Sequence, residues 1–156
     1  MRTLMLATFL ALALSAPAKA DFLTGHHYYK QGEFIIAHRI WLDDARLGDP
    51  RSQLNLGVMY TLGRGVKRDH AEAAKWFGRA ADQGNTKAQY NLGLAYYRGR
   101  GVEKDATRAA GLFRASAAKN FARAQYMLGL LHEKGRGLER DLEAALELYL
   151  NAANAG

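Results

Sequence analysis

The sequence predicts an all-α protein built as a solenoid of about four helix pairs. Three observations lead there. Ala and Leu dominate the 156 residues and only two are proline, a mix that favours helices over strands. A 14-residue stretch recurs in phase. "LGVMYTLGRGVKRD" starts at Leu56, "LGLAYYRGRGVEKD" at Leu92 and "LGLLHEKGRGLERD" at Leu128, an offset of 36 both times. Apolar residues between the copies follow helical spacing, as in Ala73, Phe77 and Ala80. Self-similarity at a fixed period of this size is the signature of stacked supersecondary units.

Residues 1–20, "MRTLMLATFLALALSAPAKA", read as a secretory signal peptide. Arg2 is a positive start, Leu4 to Ala16 is an apolar run too short to span a bilayer, and Ala18-Lys19-Ala20 fits a small-x-small cleavage site before Asp21. Residues 21–48 form a short first unit. Gly25 and Tyr28 repeat the spacing of Gly57 and Tyr60, and Ala37, Trp41, Ala45 and Gly48 match Ala73, Phe77, Ala81 and Gly84. The step from Gly25 to Gly57 is 32, so its inter-helix loop is four residues shorter.

Full units follow at 49–84, 85–120 and 121–156. Asp49-Pro50 opens the first helix of its unit, with proline in the first turn. In the next unit that helix covers roughly Lys87 to Arg98. Gly57, Gly93 and Gly129 sit inside these helices, where glycine costs about 1 kcal/mol relative to alanine. Its recurrence implies close approach of the partner helix. Asp69, Asp105 and Asp141 begin the second helices as N-caps, and Asp69 with Glu72 predicts a capping box. Ala73, Ala109 and Ala145 and the aromatics Phe77, Phe113 and Tyr149 face the first helix. Gly84 and Gly156 close their units, with Asn120 between them.

The Gly-x-Gly pairs, Gly63/Gly65, Gly99/Gly101 and Gly135/Gly137, raise the possibility of a phosphate-cradling loop. Such a loop is built once, after a strand. Here it occurs three times with no strand signal before it, so the glycines are structural.

Without residues 1–20, twenty basic and fifteen acidic side chains remain, a net charge of +5. That favours anionic partners. No nucleic-acid motif is present. Cysteine is absent, so neither a disulfide framework nor a lipoprotein attachment site is expected. The expected location is the periplasm or outside the cell, without stable membrane insertion.

These motifs resemble the Sel-one-like repeat (SLR) family, relatives of tetratricopeptide repeats. The shared pattern is Ala-x-x-x-Leu-Gly-x-x-Tyr, then Gly-x-Gly-Val-x-x-Asp, then Ala-x-x-(Trp/Leu)-(Phe/Tyr)-x-x-x-Ala. Three full units and a shorter first one cover nearly all of the chain after residue 20. His132 departs from the tyrosine and Ser52 from the alanine. The resemblance implies a right-handed superhelix of antiparallel helix pairs and an adaptor that binds an envelope or signalling protein.

No catalytic residue is assigned. Ser52 and Ser116 align with alanines at packing positions, and the periodic aspartates are caps. His26 and His27 are adjacent and cannot make a metal pair one turn apart, while His38, His70 and His132 are scattered, so no metal or cofactor is expected. By analogy with tetratricopeptide arrays, the first helix of each pair lines a concave groove. Its candidate partner-binding residues are Arg51, Lys87, Tyr90, Tyr97, Arg98, Arg123 and Tyr126. Leu54, Val58, Thr61, Leu62, Leu94, Leu130, Glu133 and Lys134 complete the three full units. Phe22, His26, Tyr29 and Lys30 add the first one. Basic residues interleaved with tyrosines suit an acidic peptide segment. The alternative is a cell-wall glycan binder or hydrolase, for which one groove acid, Glu133, is sparse. Arg64, Arg100 and Arg136, with Arg68, Lys104 and Arg140, form a second basic ladder in the loops, read as solvated. Self-association is expected at the C-terminal edge, where Leu146 and Leu150 lack a following helix.

Overall fold

The computed structural model describes residues 22–155. Residues 1–21, which include the expected signal peptide, and Gly156, expected to close the last unit, lie outside them. The described residues form eight α-helices and no strand: α1 (Phe22–Lys30), α2 (Phe34–Arg46), α3 (Pro50–Leu62), α4 (His70–Asp82), α5 (Thr86–Arg98), α6 (Ala106–Ala117), α7 (Ala122–Lys134) and α8 (Leu142–Asn154). Each packs on the helix before and the helix after it, giving an α/α solenoid. None of these helices is long and apolar enough to cross a membrane.

Each pair is locked by an aromatic ring over a glycine. A Cβ added at Gly93 would stand 2.7 Å from the Phe113 ring, and one at Gly129 would stand 2.9 Å from Tyr149. Gly57 meets Phe77 and Gly25 meets Trp41 in the same way. This close approach compensates for the poor helix propensity of glycine. Trp41 also donates its indole N–H to the Phe22 carbonyl at 3.2 Å.

The aspartate caps form. The Asp69 carboxylate accepts from the backbone N–H of Ala71 and Glu72, that of Asp105 from Arg108, and that of Asp141 from Glu143 and Ala144. The expected capping box closes on one side only. The Asp69 N–H donates to the Tyr60 carbonyl at 2.9 Å, so nothing is left for the Glu72 side chain to satisfy, and Glu72 pairs with Lys75 at 3.1 Å. Asp105 and Asp141 bond Tyr96 and His132 alike, so each cap ties the end of one helix to the start of the next.

The two glycines of each loop have different tasks. Gly63, Gly99 and Gly135 are left-handed caps of α3, α5 and α7. Gly65, Gly101 and Gly137 have φ of 69°, 74° and 73° and rest on the first residues of α2, α4 and α6 in the preceding pair. A Cβ at Gly65 would stand 2.6 Å from the Phe34 carbonyl, while at Gly101 and Gly137 it would collide with the backbone of His70 and Ala106. The loop is therefore a spacer between pairs, and no phosphate is needed to explain it. Asn120, at φ 58°, fills the left-handed position that Gly84 takes one unit earlier.

Candidate functional site

The groove candidates fall on α3, α5 and α7 as expected, but packing divides them. Lys87, Arg98 and Arg123 are exposed, and none of their charged groups makes a hydrogen bond or ion pair with a described residue. Arg51 is exposed yet engaged. Its Nε lies 3.2 Å from the Asp49 carboxylate, and its guanidinium sits 4.5 Å from the centre of the Phe22 ring. Burial opposes ionisation of Asp49. Hydrogen bonds from the Ser52 hydroxyl and N–H and from Arg51 outweigh it and hold the carboxyl below its usual range.

The tyrosines divide too. Tyr90 is a packing residue: its ring lies 5.3 Å from Phe121 and 5.9 Å from Phe113 and belongs with the core between α5, α6 and α7. Tyr126 is 53% exposed and its ring lies tilted against Tyr149, 5.4 Å between centres. The Tyr149 hydroxyl donates to Glu133 at 2.6 Å, and burial followed by that bond pushes its pKa up to about 12. Glu133, the one acid among the groove candidates, is thus already occupied. Tyr90, Arg123, Tyr126 and Glu133 line a shallow, open depression beside α8.

Tyr97 exposes a rule that links the two basic ladders. Its hydroxyl accepts from Arg136, 39 residues ahead, at 3.3 Å. Tyr29 accepts from Arg64, 35 residues ahead, at 2.7 Å, and that guanidinium also stands 5.5 Å from the Phe34 ring. In the first and third full units the first loop arginine therefore reaches back to the helix of the preceding pair, four residues after its buried glycine. These loop arginines are not simply solvated, as their position in the sequence suggests.

Between α3 and α5 the arrangement changes. Thr61 stands where Tyr29 and Tyr97 stand in the flanking units. Its hydroxyl turns back to the Gly57 carbonyl at 2.8 Å, and the Arg100 guanidinium is left without a partner among the described residues. A cleft of about 240 Å³ opens there. Ala73, Ala74 and Phe77 of α4 form its floor, with Val58, Leu62 and Leu94 on its walls. Arg98, Arg100 and His70 are its ionisable residues, and no acid lines it.

Catalytic chemistry has little to work with. Ser52 and Ser116 are fully buried, with their hydroxyls donating to Asp49 and to the Thr86 carbonyl. Among the described residues no group of three or more His, Cys, Asp or Glu could hold a metal.

The Sel1 repeat matches residues 50–85, 86–121 and 122–156. Two crystal structures are similar over most of the chain. A Sel1 repeat protein from Oxalobacter formigenes is 34% identical at a TM-score of 0.83, over 87% of this chain and 56% of that one. A protective antigen of uropathogenic Escherichia coli strains, described as displaying an SLR fold, is 32% identical at a TM-score of 0.83, over 86% of this chain and 30% of that one. The chain thus spans about half of the first and under a third of the second. Helicobacter pylori cysteine-rich protein B, 18% identical at a TM-score of 0.58 over 89% of this chain and 91% of that one, shares the fold. No curated protein matches in sequence. Sel1 repeat proteins are generally protein–protein interaction modules and typically non-catalytic. Three consecutive matches spanning 50–156, in phase with the glycine–aromatic locks and the aspartate caps, make this chain a member of the Sel1 repeat family.

Proposed function

We propose that the protein is an exported adaptor of the bacterial cell envelope that docks an acidic segment of a partner protein along the helices α3, α5 and α7. One observation carries the reading: Lys87, Arg98 and Arg123 on α5 and α7, with Arg100 in the loop between α5 and α6, have no acidic partner among the described residues, and Arg51 on α3, held by Asp49, is the one groove candidate in an ion pair. Unpaired cations on one face create a field that steers an acidic partner and fixes its register.

The glycan-hydrolase reading draws support from Tyr126 and Tyr149 beside Glu133, but glycoside hydrolysis employs a pair of carboxyl groups and no second acid lines that depression. Export rests on residues 1–20, and mass spectrometry of the secreted chain should find it beginning at Asp21.

Charge reversal of Lys87 and Arg123 tests the adaptor reading. Both are exposed, so the fold should survive. Capture of a partner from periplasmic extract by the tagged protein should fall, and its salt dependence should flatten, because exposed cations act through screened attraction. Capture that is undiminished, with unchanged salt dependence, would reject this face.

A further inference from the structure

Resting on the adaptor reading, we propose that the cleft between α3 and α5 is a specificity pocket that accepts one apolar side chain of the partner, with flanking carboxylates held by Arg98 and Arg100. The cleft opens at Thr61, which lacks the ring that Tyr29 and Tyr97 place at the same position of the flanking units. In the units on either side, the phenol of Tyr29 or Tyr97 fills this space and occupies the arginine of the next loop. At Thr61 both the ring and the acceptor are absent, and Arg100 stands 39 residues ahead just as Arg136 does from Tyr97.

What fits follows from the lining. The floor and walls are hydrocarbon from α3, α4 and α5, open to solvent on one side. About 240 Å³ is below the roughly 300–1,000 Å³ of sites that take drug-sized ligands, and suits a single side chain. Two guanidiniums at the same cleft, without acids, complement carboxylates rather than cations. The occupant is therefore a peptide segment with a leucine-sized side chain between acidic residues. Charge selects the segment along the whole face, and the pocket selects its register.

The probe is a fluorescein-labelled, terminally blocked peptide, Glu-Asp-Leu-Asp-Glu, followed by fluorescence anisotropy at low ionic strength. The native chain should bind it saturably. Replacing the peptide leucine by serine should weaken binding roughly ten- to hundredfold, the worth of burying one such side chain. Thr61→Tyr should abolish binding while leaving the melting temperature unchanged or raised, since it recreates the Tyr–Arg pair of the neighbouring units. Arg100→Gln should weaken binding without filling the cleft.

Full affinity in Thr61→Tyr, or no saturable binding by the native chain, would overturn the pocket. So would equal binding of the serine peptide with displacement by heparin oligosaccharide, which would mark a general polyanion surface. Each of these results leaves partner capture dependent on Lys87 and Arg123 untouched, so failure of the pocket is separable from failure of the adaptor reading.

Discussion

Gly101→Val is expected to destabilise the protein by about 3 kcal/mol or more, lowering the melting temperature by roughly 10 °C. Two costs combine. The residue has a φ of 74°, where an L side chain loses roughly 1–2 kcal/mol and a β-branched one more. The new Cβ also falls on the His70 carbonyl and the Ala71 N–H at the start of α4, and backbone cannot rotate out of the way as a side chain can. The loop must lift away from the preceding pair, loosening the α4–α5 junction. Gly111→Ala is the matched control. Gly111 lies inside α6 with ordinary helical backbone and open space where a Cβ would go, so it should gain up to about 1 kcal/mol. Calorimetry of the two variants separates them by sign. A neutral Gly101→Val would mean that the loop does not set the spacing between pairs, and nucleotide binding lost on that change would restore the phosphate reading.

The fold was legible because its devices repeat. A glycine inside a helix is ambiguous once, but at 57, 93 and 129 it demands a common cause, and an aromatic residue twenty positions ahead in each unit supplies one. The aspartate caps and the left-handed Gly84 and Asn120 were readable for the same reason. The groove candidates were less legible because they lie at the edge of the buried stripe, where spacing cannot separate packing from exposure. Tyr90 and Tyr126 occupy equivalent positions, yet Phe121 covers the first and leaves the second open. Arg51 looks like Lys87 in the sequence, but Asp49 and Phe22 engage it. The α3–α5 cleft was invisible because it depends on a contact between a loop and the preceding unit. Thr61 is then the position without the ring that Tyr29 and Tyr97 supply, rather than one more polar residue. The pattern that could have found it is the alternation Tyr29, Thr61, Tyr97 set beside the invariant spacing of Arg64, Arg100 and Arg136. At the C-terminal edge, Leu146 and Leu150, read from the sequence as lacking a helix to cover them, are 60% and 57% exposed.

The glycine–aromatic lock itself predicts a reversal of sign. Phe113 is fully buried at the centre of the core shared by α5, α6 and α7, so Phe113→Ala should cost about 3–5 kcal/mol. Gly93→Ala alone should also destabilise, by about 1–3 kcal/mol, although alanine is the better helix former. Its Cβ would stand 2.7 Å from Phe113, closer than packed carbons allow, and the ring has Tyr90 against it and cannot retreat freely. Combined, the two changes should not add. With the ring gone the new methyl enters the void, loses its clash and keeps its helical advantage, so Gly93→Ala becomes stabilising by up to about 1 kcal/mol in the Phe113→Ala background. Urea unfolding of the four chains closes the cycle. The expected coupling is about 2 kcal/mol or more, large for one pair of residues because the two side chains compete for the same volume. Additive costs would show that the ring does not rest on Gly93, and the recurrence of glycine at 57, 93 and 129 would then need another cause.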